Sequence, residues 1–459
     1  MITLTNTKTY QPFWDNDKQE TYKTLSWNDD YETTKEKINT SSKFSIDIIK
    51  LSLNNDHHTF KVKDNNEEEI TLKTKSRKLK LRPTKEQKII LNKWAGCTRF
   101  LYNKTIAMLT NKKNTIKHKY ALRARFATVK HQKTNKPNSF YNNKPWLKEC
   151  LSSIRKSVIY QAKANLQACF TNLREKNIDH FSAPYRTKKK EQMNGYSYTI
   201  EKQDIKKINN ELKITTLGTI RYYGTKQLHK LIPNDKPKYD FKIQKTGFGE
   251  YFLIIPYEIK QKTLPTKFKN PVSIDPGVRK TYTTYAPNEK TSYILGDRMS
   301  NELMKMLIPL DKLYSQRTND KSKKLKDKII NLRKRIYYFK KEFHHQTANF
   351  LTKKYDLIVI PKLETNKLSE KATRRLKTKT VRNMLSLGHA ECFKHIQEKS
   401  LERGVKFLHV EESYTSQTCP KCGHRKKTSL ETYTCTECAF TADRDVVGAL
   451  NILLKALNP

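Results

Sequence analysis

Residues 415–453, TSQTCPKCGHRKKTSLETYTCTECAFTADRDVVGALNIL, hold the most specific motif in this chain of 459 residues. Two C-x-x-C pairs lie twelve residues apart: Cys419 with Cys422, and Cys435 with Cys438. They present four thiolates at a spacing that closes a tetrahedral Zn²⁺ site. The alternatives are a chance grouping of cysteines or two disulfides, and the length of the intervening loop favours zinc.

An acidic segment follows the last of these cysteines. Asp443, Arg444 and Asp445 directly precede an apolar stretch that predicts a helix. A zinc ribbon followed by an acidic residue at the start of a helix favours the function of a metal-dependent nuclease.

The charge of the chain indicates a polyanionic partner. The formal net charge is +47, from 92 Lys and Arg against 45 Asp and Glu. Residues 1–70 carry 13 acidic and 9 basic side chains, a net of −4, which leaves +51 on residues 71–459. Nucleic acid is therefore the expected partner. The N-terminal extension, residues 1–75, is predicted to be poorly ordered, with one short element.

The remaining cysteines, Cys97, Cys150, Cys169 and Cys392, follow no metal-binding spacing. They predict buried thiols in a reducing compartment. No apolar run approaches the ~18 residues of a membrane span, and no signal peptide follows Met1. We expect no membrane partner and no secretion, with a nuclear location for a eukaryotic or viral source and a cytoplasmic one otherwise.

Patterns of period two predict a small β-barrel into which helices are inserted. The strand Lys78–Arg82 alternates basic and apolar residues, and segments within 180–265 repeat the alternation. Thr84 begins a capping box at the start of one long helix, and a second is predicted over about 151–175. The basic loop 184–192 is either a phosphate contact or an ordinary solvated loop.

An α/β domain follows the barrel. Asp275 ends a short buried strand, YDLIVI (355–360) and VKFLHV (405–410) predict two further core strands, and a helical hairpin is predicted over 301–350. Acids at strand ends alternating with helices describe an RNase H-like sheet, whose last helix begins at Asp445. The predicted fold class is therefore multidomain α/β.

Three carboxylates at one sheet edge would repel one another unless divalent cations lay between them. Two metals roughly 3.5–4 Å apart would activate water and stabilise the leaving oxygen of a phosphodiester. Oxygen ligands favour Mg²⁺ or Mn²⁺. The candidates are Asp275, Asp445 and a glutamate, either Glu412 or Glu364. Glu412 is favoured because it lies two residues past VKFLHV, whereas Glu364 lies beyond Pro361, so the chain would have to curl back.

Five segments carry a family resemblance: RKLKLRPTKEQKIILNKWAGCTRFLYN, SIDPGVRK, YDLIVI, YTSQTCPKCG and DRDVVGALNI. They resemble the TnpB family of transposon-encoded RNA-guided nucleases, ancestors of type V CRISPR effectors. The resemblance covers residues 75–457, and YTSQTCPKCG is its most specific part. It implies a guide RNA from the transposon end, a double-stranded DNA target beside a short motif, and cleavage at one RuvC site. We expect a monomeric ribonucleoprotein.

The resemblance also implies a division into domains. After the extension 1–75 come a wedge β-barrel (76–83 and 180–265), a helical recognition domain (84–179), a RuvC-like nuclease domain (271–414 and 440–459) and a zinc ribbon that binds target nucleic acid (415–439). Zinc would be structural in the ribbon, and Mg²⁺ or Mn²⁺ would be catalytic in the nuclease domain.

Two residues depart from the family pattern. The family usually has Glu after the third core strand, in I-E-D-L, where this chain has Pro361, and it usually ends in D-R-D-x-N-A-A, where Val447 replaces Asn. Pro361 together with Glu412, two residues before Tyr414, resembles Fanzor proteins. These are TnpB relatives of eukaryotes and their large DNA viruses, in which an alternative glutamate is thought to supply the missing ligand.

The expected function is an RNA-guided DNA endonuclease with a divalent-metal RuvC mechanism. Pro361 keeps open a second function: a nuclease-inactive RNA-guided DNA-binding repressor or transposition accessory factor. A DNA-strand transferase is disfavoured, because no tyrosine or integrase-like carboxylate spacing stands out.

Overall fold

The computed structural model describes residues 35–38, 46–50, 73–111, 118–130, 135–208, 211–223, 237–259, 264–265, 267–289, 291–363, 378–411 and 413–457. The chain divides into two compact units. One consists of Lys73–Ile259, and the other combines Met1–Leu72 with Lys260–Pro459. None of the helices described here is long and apolar enough to cross a membrane.

The strands are β1 (Lys35–Ile38), β2 (Ile46–Lys50), β3 (Lys73–Arg82), β4 (Gly195–Ile200), β5 (Ile205–Ile208), β6 (Glu211–Ile214), β7 (Gly218–Tyr222), β8 (Phe241–Thr246), β9 (Tyr251–Ile259), β10 (Pro271–Pro276), β11 (Tyr282–Tyr285), β12 (Thr291–Leu295), β13 (Leu357–Pro361), β14 (Lys406–Val410), β15 (Thr432–Thr434) and β16 (Thr441–Asp443). The helices are α1 (Lys85–Thr110), α2 (Lys119–Phe126), α3 (Ser152–Arg174), α4 (Lys188–Asn194), α5 (Met299–Gln316), α6 (Lys323–Lys354), α7 (Thr378–Leu387), α8 (His389–Arg403) and α9 (Arg444–Leu457).

The unit Lys73–Ile259 is built on a seven-stranded antiparallel sheet of order β4-β8-β9-β3-β7-β6-β5. Its strand β3 pairs with β9 and β7, although helices α1–α4 lie between β3 and the others in sequence. Helices α1–α4 are therefore inserted between the strand that contains residues 78–82 and the other strands of its sheet. The basic segment 184–192 is not wholly a loop, because Thr187 accepts a hydrogen bond from Lys190 and begins α4.

The predicted capping box fixes the start of α1. The Thr84 hydroxyl accepts from the Gln87 amide, and the Gln87 side-chain oxygen accepts from the Thr84 amide. The amide group of Gln87 also donates to the carbonyls of Leu217 and Thr219, at 3.1 and 2.9 Å. One side chain therefore caps the helix and ties it to the sheet.

The other unit contains a seven-stranded mixed sheet of order β1-β2-β12-β11-β10-β13-β14. Strands β10, β11 and β12 form an antiparallel meander, and β13 and β14 lie parallel to β10. The segments YDLIVI and VKFLHV therefore form parallel, adjacent strands, with the first of them beside the strand of Asp275. The prediction of a core strand at 405–410 was wrong, because among the described strands β14 has one neighbour, and it is partly exposed along its length.

Helices cover both faces of this sheet, as the alternation along β13 shows. Leu357 and Val359 pack against α9, whereas Ile358 and Ile360 pack in the core formed with α5, α6 and α8. All five residues of β13 are buried. A strand with two apolar faces is typical of a sheet between two helical layers.

The N-terminal extension contributes two strands to this sheet, rather than the single short element expected. Strand β1 pairs with β2, and β2 pairs antiparallel with β12 over Thr291–Leu295. The extension therefore pairs with an edge of the meander that would otherwise present open backbone groups.

A buried histidine lies in the core of the same unit. His389 is only 2% exposed, and its Nδ1 lies 3.1 Å from the Tyr282 hydroxyl. Burial, with a smaller contribution from His344, lowers the pKa of His389 to about 4. In the unfolded chain the histidine side chain binds a proton near pH 6.5, whereas in the folded chain it does so only near pH 4. Between these values only the unfolded state gains the proton, so the folded state loses stability as the pH falls from about 6.5 towards 4.

We predict that His389→Gln makes the stability of the protein less dependent on pH in this range. The wild-type free energy of unfolding should fall with decreasing pH by up to about 1.4 kcal/mol per unit more steeply than that of the variant. Urea unfolding of the full chain between pH 7 and pH 5 measures both slopes. Equal slopes would contradict the assignment of the titration to this residue.

Candidate functional site

Four cysteine sulfurs lie together in the ribbon. The Sγ atoms of Cys419, Cys422, Cys435 and Cys438 are all within 4.8 Å of one another. Cys419 and Cys438 are 3.6 Å apart, and Cys422 and Cys435 are 3.5 Å apart. Thiolates bound tetrahedrally at about 2.3 Å from zinc would be about 3.8 Å apart. The cluster therefore has the size and ligand set of a structural zinc site.

Two matching turns present these sulfurs. Gly423 and Ala439, each directly after the second cysteine of a pair, have positive φ of 77° and 54°. The amides of Cys419 and Cys435 donate to the carbonyl five residues further on, at 2.9 and 2.8 Å. An alanine in the left-handed region is uncommon, so the second turn is held by its surroundings.

A bound cation would decide whether the four cysteine thiols are ionised. Burial raises the pKa of the Cys419 thiol well above its usual range and that of Cys422 to about 11. Burial acts in the same direction on Cys435, but hydrogen bonds from the amides of Cys438 and Glu437 outweigh it and lower its pKa. A zinc ion is the group that would keep all four sulfurs as thiolates.

The ribbon is joined to α9 by side chains of that helix. Val447, which is buried, packs in a cluster with Cys419 and Tyr433. One turn later the Asn451 amide group donates to the carbonyls of Thr415 and Thr418, both at 2.7 Å. Asn451 was not predicted as a functional residue; its signal is a single amide within the otherwise apolar VVGALNILL. Zinc ribbon and helix are therefore one packed structure.

Of the two acids at the start of α9, Asp443 has the structural role. Its Oδ1 accepts from the amides of Asp445 and Val446, at 3.0 and 3.3 Å, which makes it the N-cap. Its Oδ2 lies 2.6 Å from Lys280 Nζ. Asp445 has longer contacts, 3.4 Å to Lys280 and 3.2 Å to Arg444. Asp445 is therefore the acid of the pair that is better placed for a further ligand.

The carboxylate of Asp275 lies against the backbone of Gly448. A Cβ at position 448 would be 2.5 Å from Asp275 Oδ2 and 3.2 Å from its Cγ. Gly448 is three residues after Asp445 and so lies on the same side of the helix. The structure thus brings Asp275 to the first turns of α9, where Asp445 lies.

Lys280, which the sequence analysis missed, adds a cation to this group of acids. It lies in the turn between β10 and β11, shortly before Tyr282 begins the second of these strands. Burial lowers the pKa of Lys280, but its hydrogen bond to Asp443 and the charges of Asp443 and Asp445 outweigh burial and raise it. The side chain therefore stays charged and offsets repulsion between the two acids.

Both candidate glutamates, Glu364 and Glu412, lie outside the described residues. The backbone leading to them is described. In the parallel part of the sheet Ser273 of β10 is paired with Val359 of β13, and Val359 is paired with Leu408 of β14. The three strands therefore end at the same edge of the sheet, with Asp275, Pro361 and Val410 at their ends. Within the described part of the chain, the four ribbon cysteines are the only group of three or more metal-binding side chains.

Family models match two parts of the chain. The Cas12f1-like TNB domain matches residues 389–452, which include the four cysteines. A helix-turn-helix domain matches residues 73–115, of which the structure describes 73–111, with strand β3 followed by helix α1.

Several known proteins are similar over most of their length. A putative transposase of Paramecium bursaria Chlorella virus 1 is 32% identical over 84% of this chain and 87% of its own. A TnpB-like protein of Acanthamoeba polyphaga mimivirus, L79, is 28% identical over 84% of this chain and 74% of its own. The putative RNA-guided DNA endonuclease InsQ of Escherichia coli K12 is 26% identical over 82% and 90%.

Among solved structures, a Cas12f1–sgRNA–target DNA complex aligns with 84% of this chain and 99% of its own protein chain, at 15% identity and a TM-score of 0.47. The sequence relatives define a class of TnpB-like proteins and putative transposases found in large DNA viruses and bacteria. The chain belongs to this family and is of the Fanzor/TnpB type.

We predict that Cys422→Ser removes zinc and unfolds the ribbon, because structural zinc supplies roughly 10–16 kcal/mol of apparent binding free energy in small modules. Elemental analysis should show about one zinc per chain in the wild type and almost none in the variant. Cys169→Ser, which changes a half-buried thiol on α3, is the matched control and should keep its zinc. Wild-type protein that cleaves DNA without zinc would contradict the assignment.

Proposed function

We propose that this protein is an RNA-guided DNA endonuclease that acts as a monomeric ribonucleoprotein with a transposon-derived guide RNA. The observation that carries the proposal is the approach of the Asp275 carboxylate to the start of α9, where Asp445 lies. The excess of +51 on residues 71–459 supports nucleic acid as the partner. The family includes a relative named as a putative RNA-guided DNA endonuclease.

The nuclease domain in this proposal is an RNase H-like, RuvC domain. Its support is the strand order: the meander β12-β11-β10 followed by the parallel strands β13 and β14, with α9 packed on one face. The unit Lys73–Ile259 would supply the wedge, from its seven-stranded sheet, and the recognition domain, from α1–α3.

Asp275, Asp445 and Glu412, with Glu364 as the runner-up for the glutamate, would hold Mg²⁺ or Mn²⁺, the ions that carboxylate oxygens prefer. When bound, the ions would activate water and stabilise the leaving oxygen of a phosphodiester. The chain itself sets the positions of its acids. Asp443 fixes the start of α9, and Gly448 leaves room for the Asp275 carboxylate.

The zinc ribbon would contact target nucleic acid. Arg425 lies over the Tyr414 ring, 4.6 Å from its centroid, and Tyr414 is exposed. Lys426 and Lys427 follow in sequence on the same loop. An aromatic face beside several cations suits a sugar-phosphate backbone with accessible bases.

One observation favours the second candidate function, a nuclease-inactive RNA-guided DNA binder. Pro361 is the buried last residue of β13, at the position where the family usually carries its glutamate. Proline supplies neither a ligand oxygen from its side chain nor an amide donor. A wild-type ribonucleoprotein that binds its target without cutting it would establish this alternative.

We predict that Glu412→Ala abolishes cleavage of a target plasmid while RNA-guided binding remains, because one ligand of the ions is lost. Glu364→Ala should retain substantial activity, and it serves as the matched control. Plasmid cleavage by protein purified with its RNA measures both. The reverse result would move the ligand to Glu364, and full activity in both variants would remove the three-acid site.

We also predict a graded effect of side-chain size at position 448. Gly448→Ala should slow cleavage moderately, and Gly448→Val should slow it on the order of 100-fold, because each added atom displaces the Asp275 carboxylate. Single-turnover cleavage rates give the comparison, and zinc content and RNA binding should remain at wild-type values. Wild-type cleavage by Gly448→Val would show that the position of Asp275 does not matter.

A further inference from the structure

A cavity of about 630 Å³ lies on the outer side of α1, within the unit Lys73–Ile259. Its floor is the helix surface at Gly96, Phe100 and Lys104, which are spaced four residues apart. Its walls include Trp146 and Tyr185. The volume is in the range of pockets that take small organic groups, about 300–1,000 Å³.

The lining combines aromatic faces with positive charge. Trp146 and Tyr185 are 42% and 44% exposed, so both rings are accessible to a ligand. Phe100 packs edge-on against Trp146, with ring centroids 5.4 Å apart. The ammonium group of Lys104, an exposed residue, lies 5.9 Å from the Phe100 centroid. Rings beside a cation form the kind of surface on which nucleic-acid bases stack.

The wall that carries Tyr185 is held in place by α1. The Asn103 side chain donates to the Arg186 carbonyl and accepts from the Arg186 amide, at 2.9 and 2.8 Å. The Arg186 guanidinium lies 3.9 Å from the centroid of the buried Tyr102 ring. These contacts fix the backbone beside Tyr185, so its ring projects from a rigid support.

Gly96 is the second observation that points to a ligand. It lies inside α1, where glycine disfavours the helix relative to alanine. Among the residues that the structure describes, none requires a glycine there, since an added Cβ would meet only Arg99 Nη2, at 4.0 Å. Its missing side chain instead leaves room in the cavity.

We propose that this cavity binds one unpaired nucleotide of the guide RNA, with its base against the rings of Trp146 and Tyr185 and its phosphate near Lys104. This inference rests on the proposed function, because it takes the ligand from the guide. Proteins recognise RNA chiefly at unpaired bases stacked on aromatic side chains, whereas the bases of a DNA duplex are already stacked.

The test uses the full chain and an unstructured oligouridine RNA that contains 4-thiouridine. Photocrosslinking followed by mass spectrometry should place crosslinks at Phe100, Trp146 or Tyr185. Trp146→Ala should weaken RNA binding roughly tenfold. Gly96→Leu should weaken it similarly, because the new side chain occupies the cavity. Zinc content and circular dichroism check that both variants are folded.

Two lysine variants distinguish binding in the cavity from nonspecific attraction of RNA to positive charge. Lys104→Ala should lower the slope of log affinity against log salt by about one phosphate contact. Lys93→Ala removes an exposed lysine of the same helix, which is paired with Glu149 outside the cavity, and should change affinity by less than about twofold.

The outcomes distinguish this inference from the proposed function. Wild-type protein that binds RNA, with Trp146→Ala and Gly96→Leu unchanged, overturns the nucleotide pocket alone. Wild-type protein that binds no RNA overturns both proposals. Oligothymidine that competes as well as the RNA, with the same losses in the variants, overturns the assignment to RNA.

Discussion

The close approach of the Asp275 carboxylate to the Gly448 backbone sets how the last helix lies on the sheet. At this point the Asp275 carboxylate of strand β10 occupies the space that a side chain at position 448 would take. Below it, the Ser273 hydroxyl donates to the Ala449 carbonyl at 2.6 Å and holds the same spacing. The packing of β10 against α9 therefore brings the Asp275 carboxylate to the start of the helix, where Asp445 lies.

The zinc ribbon and the proposed catalytic centre share α9. One side of this helix faces the sheet, where Gly448 meets Asp275, and Val447 and Asn451 fasten the ribbon to it. A metal ion held by the four cysteines would stabilise the packing around Val447, which lies in the same first turn of α9 as Asp445. Such an ion would affect the geometry of the acids without contacting them.

The features that the sequence predicted correctly depend on neighbouring residues in the chain. The cysteine spacing, the capping box at Thr84 and the apolar run of β13 each specify their structure locally. Lys280 and Asn451 were missed because their roles arise only when distant segments pack together. The edge position of β14 was missed for the same reason, since an apolar pattern does not report the number of neighbouring strands.

Because β2 pairs with β12, the two units can complete their folding at different times during synthesis. Lys73–Ile259 is continuous in sequence and can fold once it leaves the ribosome. Strand β2 ends at Lys50, whereas its partner begins at Thr291. At about 5–20 residues per second, β2 waits on the order of 10–50 s for that partner. Throughout this interval the edge of β2 that later pairs with β12 stays open, although the unit Lys73–Ile259 behind it can already fold.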